Sequence, residues 1–142
     1  MGWLLFFLLA VQMCAADLAS IRQEANLARR SQLALDFASV ALDAARSGYQ
    51  AGDMDKTEAA LNEVGESVDL AYQAILDTGK VARRDPGLFK RAELATRQLM
   101  RRIGGLAESM SFQDRALAEK VRDRIGVVHD DLVDAMMSKK RK

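Results

Sequence analysis

His129 is the single histidine, and with Asp130, Asp131 and Asp134 it forms the one cluster where metal ligation or acid–base chemistry has candidate groups. Imidazole and carboxylate are the donors of mononuclear metal centres, which need several ligands converging on one point. On a helix the run disperses instead. At about 100° per residue, Asp130 and Asp134 point outward together, Asp131 lies on the opposite flank, and His129 falls at the edge of the apolar seam. Gly126 stands three residues before His129, so the Glu-x-x-His pair of di-iron bundles is missing. A metal-binding protein or metalloenzyme centred on His129 is the alternative that would need ligands from a second helix. The expectation is a boundary histidine, with no catalytic residue, no metal and no cofactor.

Charge makes the second pattern. Lys90, Arg97 and Arg101 recur along the outward side of one segment, and Glu119, Asp123, Asp130 and Asp134 along the outward side of the next. Ordinary solvated faces carry such runs, with weak ion pairs such as Glu93 with Arg97. They also suit a two-signed docking surface, and these seven residues are the candidate interaction surface. The totals are 21 basic and 20 acidic residues, too balanced for a global field that would recruit nucleic acid or membrane. Locally, residues 53–82 carry two basic and seven acidic residues, and 83–110 carry seven basic and three acidic.

The C-terminal Lys139-Lys140-Arg141-Lys142 offers a weak contact with anionic membrane, each cation near a charged surface contributing about 1 kcal/mol. No aromatic residue accompanies it to stack on bases, so nucleic acid is not expected. Gly104-Gly105 lacks the lysine and preceding strand of a phosphate-binding turn, and no small-molecule substrate is identified.

The first 16 residues read as an export signal. Trp3–Val11 is an uncharged apolar run, and Cys14, Ala15 and Ala16 supply small residues for cleavage before Asp17. The run has no Lys or Arg ahead of it, and to Ala16 it falls short of the roughly 20 apolar residues that span a bilayer. Periplasmic or secreted location is the expectation; membrane anchoring by an uncleaved signal or a lipidated Cys14 is the alternative. Cys14 is the sole cysteine, so the processed domain would hold no disulfide. No Asn-x-Ser/Thr acceptor is present, which is compatible with a bacterial envelope.

The elements that would position these side chains follow from period and punctuation. Roughly 125 residues after cleavage suffice for one self-sufficient core. Ala, Leu, Glu, Arg and Gln abound and the chain has one proline, so helix is the default. Ser20 with Gln23 marks a capping box opening the first helix, and Gly52 and Asp53 close it and start the second. Gly79 stops the second near Thr78, Asp85-Pro86 opens the third, and Ser111 with Asp114 opens the fourth. Seams at alternating three and four spacing run through Leu35, Leu42 and Tyr49, with a second stripe of Leu33, Phe37, Val40 and Ala44. They continue through Leu61, Val64, Val68 and Ile75, through Phe89, Leu99, Ile103 and Leu106, and through Val121, Ile125, Val128 and Leu132.

Four such seams on segments joined by short connections predict an all-α, antiparallel up-down bundle of four helices over 17–138, with 139–142 a basic tail. The alternative is a three-helix core plus a mobile N-terminal helix. The first helix reads about ten residues longer than the others, which would let its polar start overhang the bundle by roughly 15 Å. Gly104-Gly105 reads as a close approach by another helix, because the seam stays in phase beyond it, and Phe112 as a core or helix-end anchor.

Gly48-Tyr49-Gln50-Ala51-Gly52-Asp53-Met54-Asp55-Lys56 resembles the turn between the two helices of a tetratricopeptide repeat. The resemblance covers one hairpin of about 20 residues, has no second copy near an offset of 34, and implies two antiparallel helices. The function expected from these features is that of an exported, non-catalytic bundle that binds another protein or assembles with itself. Peripheral attachment to an anionic envelope surface through basic residues is the alternative.

Overall fold

The computed structural model describes residues 17–138. Residues 1–16, with the expected export signal and Cys14, and the basic tail 139–142 lie outside them. The described residues are 82% helical and include no strand. They form five helices: α1 (Leu18–Arg22), α2 (Leu27–Gln50), α3 (Met54–Asp77), α4 (Pro86–Ser109) and α5 (Arg115–Met137).

The long overhanging first helix does not form. Asp17, rather than Ser20, caps α1, its carboxylate accepting from the Ala19 amide at 3.2 Å, and Gln23 ends the helix instead of closing a capping box. Asn26 then starts a new helix, its side chain accepting from the Arg29 amide at 3.0 Å. Glu24 holds the break: its side chain accepts from the Asn26 amide at 3.0 Å, and its carbonyl from Arg30 Nε at 2.8 Å. The break turns α1 back so that Leu18 and Ile21 are buried and α1 touches both α2 and α3. What remains is four long helices of 24, 24, 24 and 23 residues.

The other boundaries follow their local chemistry. Gly52 and Gly79 adopt φ of +73° and +64°, the left-handed conformation that glycine tolerates at a helix end. The Asp53 side chain accepts from the Lys56 amide at 3.0 Å, and Pro86 occupies the first turn of α4. Gly48 lets α2 and α3 approach closely beside their turn: a Cβ there would stand 3.0 Å from Thr57 Oγ1 and 3.2 Å from its backbone nitrogen.

The core lies along the inward face of all four long helices, with Leu42, Leu61, Ile75, Ile103, Leu106, Ile125 and Leu132 among its fully buried side chains. On α2 the buried line is Ala34, Ala38, Ala41 and Ala45, small side chains that let α3 approach. Val40, expected in a second apolar stripe, is 57% exposed. In the bundle α2 touches α3 and α4, and α5 touches α3 and α4. Arg91 bonds Gln32, and Arg102 bonds Ser39 and Asp43, so α2 and α4 match with numbers rising together. Between α4 and α5 the order reverses, Thr96 facing His129 and Met100 facing Gly126. Tyr49 ties the far end: its hydroxyl accepts from the Ser111 amide at 2.8 Å and donates to Asp114 Oδ2 at 3.3 Å.

Two further expectations fail. A Cβ at Gly104 or Gly105 would meet nothing within 4 Å, so no helix approaches there, and α4 runs on through both residues. Phe112, which sits in the turn between α4 and α5, is 90% exposed and anchors nothing.

Candidate functional site

The last two helices bring together most of the chain's candidate chemistry, on two sides of one boundary. Inside it lie Glu93, Thr96 and His129. Glu93 follows Ala92 on the buried side of α4, and only 4% of it is exposed, although its charge suggests a solvated position. Its carboxylate pairs with the Arg97 guanidinium one turn on, and lies 3.8 Å from His129 Nε2. Arg97 keeps 55% of its side chain in solvent, so a partly wet cation compensates a buried anion.

Thr96 fixes the ring. Its Oγ1 lies 3.0 Å from the Ala92 carbonyl and 2.9 Å from the Glu93 carbonyl, both acceptors, so the one hydroxyl proton is directed to the backbone. His129 Nδ1, 3.1 Å from the same oxygen, is then the donor to it. In the neutral ring this leaves the Nε2 lone pair facing Glu93. One imidazole and one carboxylate make two ligands, and no group of three or more His, Cys, Asp or Glu suited to a metal occurs among the described residues. Asp130 and Asp134 are exposed and turned away, as helical spacing expects. Asp131 faces α3, where the Tyr72 phenol is pushed above its ordinary 10.0, first by burial and then by the charge and hydrogen bond of Asp131.

Outside the same boundary lies the two-signed face. Lys90, Arg97 and Arg101 are exposed on α4, and Asp123, Asp130 and Asp134 on α5, while Glu119 is half-buried. Helical spacing puts both stripes on the solvent side of the line where Thr96 meets His129. Among the described residues no ion pair joins the stripes; Arg97 turns inward to Glu93, and Asp123 pairs with Arg122 on its own helix at 3.5 Å. Leu94, 48% exposed, lies between Lys90 and Arg97, and Val127, 64% exposed, between Asp123 and Asp130. These two aliphatics escape a search for charge because each breaks its stripe once; their place off the buried seam is the signal.

An open cleft of about 320 Å³ is lined by Arg22, Glu66, Asp69, Gln73 and Arg124, whose charges are already committed, Arg22 to Glu66 at 3.9 Å and Arg124 Nε to Asp69 at 2.9 Å. Gly65 makes room for that second pair, since a Cβ there would fall 2.8 Å from the Arg124 guanidinium. No helix among the described residues is long and apolar enough to cross a membrane. The chain matches no family model, no curated protein and no solved structure.

Proposed function

We propose that this chain is an exported, non-catalytic up-down bundle of four antiparallel helices, with α1 folded against α2 and α3, whose role is to bind protein through the outer face of α4 and α5. The observation that carries the proposal is the exposure of Leu94 and Val127 inside stripes of opposite charge that are not paired with each other. Aliphatic side chains ringed by charge have the make-up of a binding patch, the apolar atoms giving affinity and the charges register. The polar residues between the helices serve this role structurally: the hydrogen bond of His129 to Thr96 favours one rotation of α5 against α4, and that rotation sets which residues the face presents.

Export follows from the apolar run before Asp17 and its small-residue end. Two measurements test the proposal on chain expressed in full. N-terminal sequencing of the processed protein should begin at Asp17. Chemical cross-linking in the exporting cell should give adducts of higher mass, and Leu94→Asp with Val127→Asp should remove them without changing the helical circular dichroism. A chain that stays inside the cell, or adducts unaffected by these substitutions, overturns it.

A further inference from the structure

We infer that the protein bound by this face is a second copy of the chain, joined through a two-fold axis parallel to the helices; the inference rests on the reading of α4 and α5 as a binding face. The carrying observation is that the face holds both signs in separate columns. Thr96 lies against His129 and Met100 against Gly126, so moving up α4 corresponds to moving down α5. That correspondence sets Lys90 close to the level of Asp134, Arg97 to that of Asp130, and Arg101 to that of Asp123. Each of the three cations in the α4 stripe therefore has an anion on α5 at nearly its own height, one helix to the side.

Two face-to-face arrangements are open to identical copies. An axis perpendicular to the helices would lay α4 on α4 and α5 on α5, cation on cation and anion on anion. An axis parallel to them lays α4 of each copy over α5 of the other. Lys90 then meets Asp134 of the second copy, Arg97 meets Asp130, Arg101 meets Asp123, and symmetry repeats all three contacts. Leu94 and Val127 sit within the matched columns and supply apolar contact where the charges pair. The matching ends at Glu119, which falls opposite Glu108, with the cations Arg115 and Lys120 near Glu119 on α5 to offset them. A different protein would need its own matching columns, whereas this face already carries its complement.

The test uses the processed full chain and two charge-reversed variants, Lys90→Glu with Arg101→Glu, and Asp123→Lys with Asp134→Lys. All four positions are exposed, and Asp123 alone has an ion-pair partner among the described residues, so circular dichroism should match the unmodified chain. Sedimentation equilibrium should show the unmodified chain dimerising, and each variant alone weakened about tenfold or more, because both columns then repel. The two variants mixed should recover a heterodimer, because both columns attract again. Added salt should weaken the unmodified dimer, a reading that stands even if a variant fails to fold.

An unmodified chain that stays monomeric, variants that still dimerise, a mixture that stays monomeric, or a dimer indifferent to salt each overturns the inference. A photo-reactive residue at Val127 separates this failure from failure of the binding face itself. If the purified chain is monomeric but the residue captures a different protein in the cell, self-pairing fails and the face stands; no capture at all removes both.

Discussion

The Glu93 carboxylate lies 3.8 Å from His129 Nε2 across the boundary of α4 and α5, with only 4% of Glu93 exposed. A buried anion is retained only where a partner compensates its lost hydration, and here the Arg97 guanidinium on its own helix does so. The hydrogen bond across the two helices is made beside it, by His129 Nδ1 to Thr96 Oγ1 at 3.1 Å.

Replacing Glu93 separates its packing from its charge. Glu93→Ala leaves a cavity and should cost about 2–3 kcal/mol in urea unfolding. Glu93→Met fills the same space and frees Arg97 into solvent, so it should fall within about 1 kcal/mol of the unmodified chain. Equal losses for both would mean that the charge itself holds the helices together.

The tautomer of His129 follows from the single proton of Thr96. Nitrogen-15 NMR of the neutral ring should find the proton on Nδ1, and Thr96→Val should abolish that preference while costing about 1–2 kcal/mol. A proton found on Nε2 would reverse the assigned direction of this hydrogen bond.

Alanine should have opposite effects at two glycines. At Gly105 it meets open space and should add about 0.5–1 kcal/mol through helix propensity. At Gly48 it stands 3.2 Å from the Thr57 backbone nitrogen in a hairpin held by the Asp53 cap, and should cost about 1–2 kcal/mol net. Thermal unfolding decides both signs, and a stabilised Gly48→Ala would show that the hairpin can open at no cost.

Tyr72 makes stability depend on alkaline pH. Its phenol is raised above 10.0 in the fold, so the folded chain holds the proton more tightly than the unfolded one. The contribution is complete below about pH 10, where both states are protonated, and is lost as pH rises through the folded value. Tyr72→Phe should flatten this loss, and ultraviolet titration should show Tyr72 ionising at higher pH than a free phenol. A Tyr72→Phe chain with the same alkaline decline would assign the loss elsewhere.

The starts of α3 and α4 and the left-handed turns at Gly52 and Gly79 were legible in the sequence, because glycine and proline leave backbone-level marks there. The break between α1 and α2 was not. Gln23, Glu24 and Ala25 are acceptable helix residues, and the chain stops there only because Asn26 and Glu24 offer competing hydrogen bonds and Ile21 gains burial. The seams of α3, α4 and α5 were legible from spacing. On α2 the spacing of the larger side chains masks the buried line of Ala34, Ala38, Ala41 and Ala45, and it puts Val40 in an apolar stripe where the fold leaves it exposed. The burial of Glu93 could not be seen, since a charge one residue from a seam looks solvated until its Arg97 partner is in place. The stripes themselves were legible, while the aliphatics within them acquire meaning only from exposure.

The measurement that bears most directly on the proposed binding face is site-specific photo-cross-linking in the cell that makes the protein, at Val127 and, as a control, at Leu76, a residue of similar character exposed on α3. A protein adduct from Val127 and none from Leu76 is the predicted result. No adduct from Val127, or equal adducts from both positions, would contradict the account.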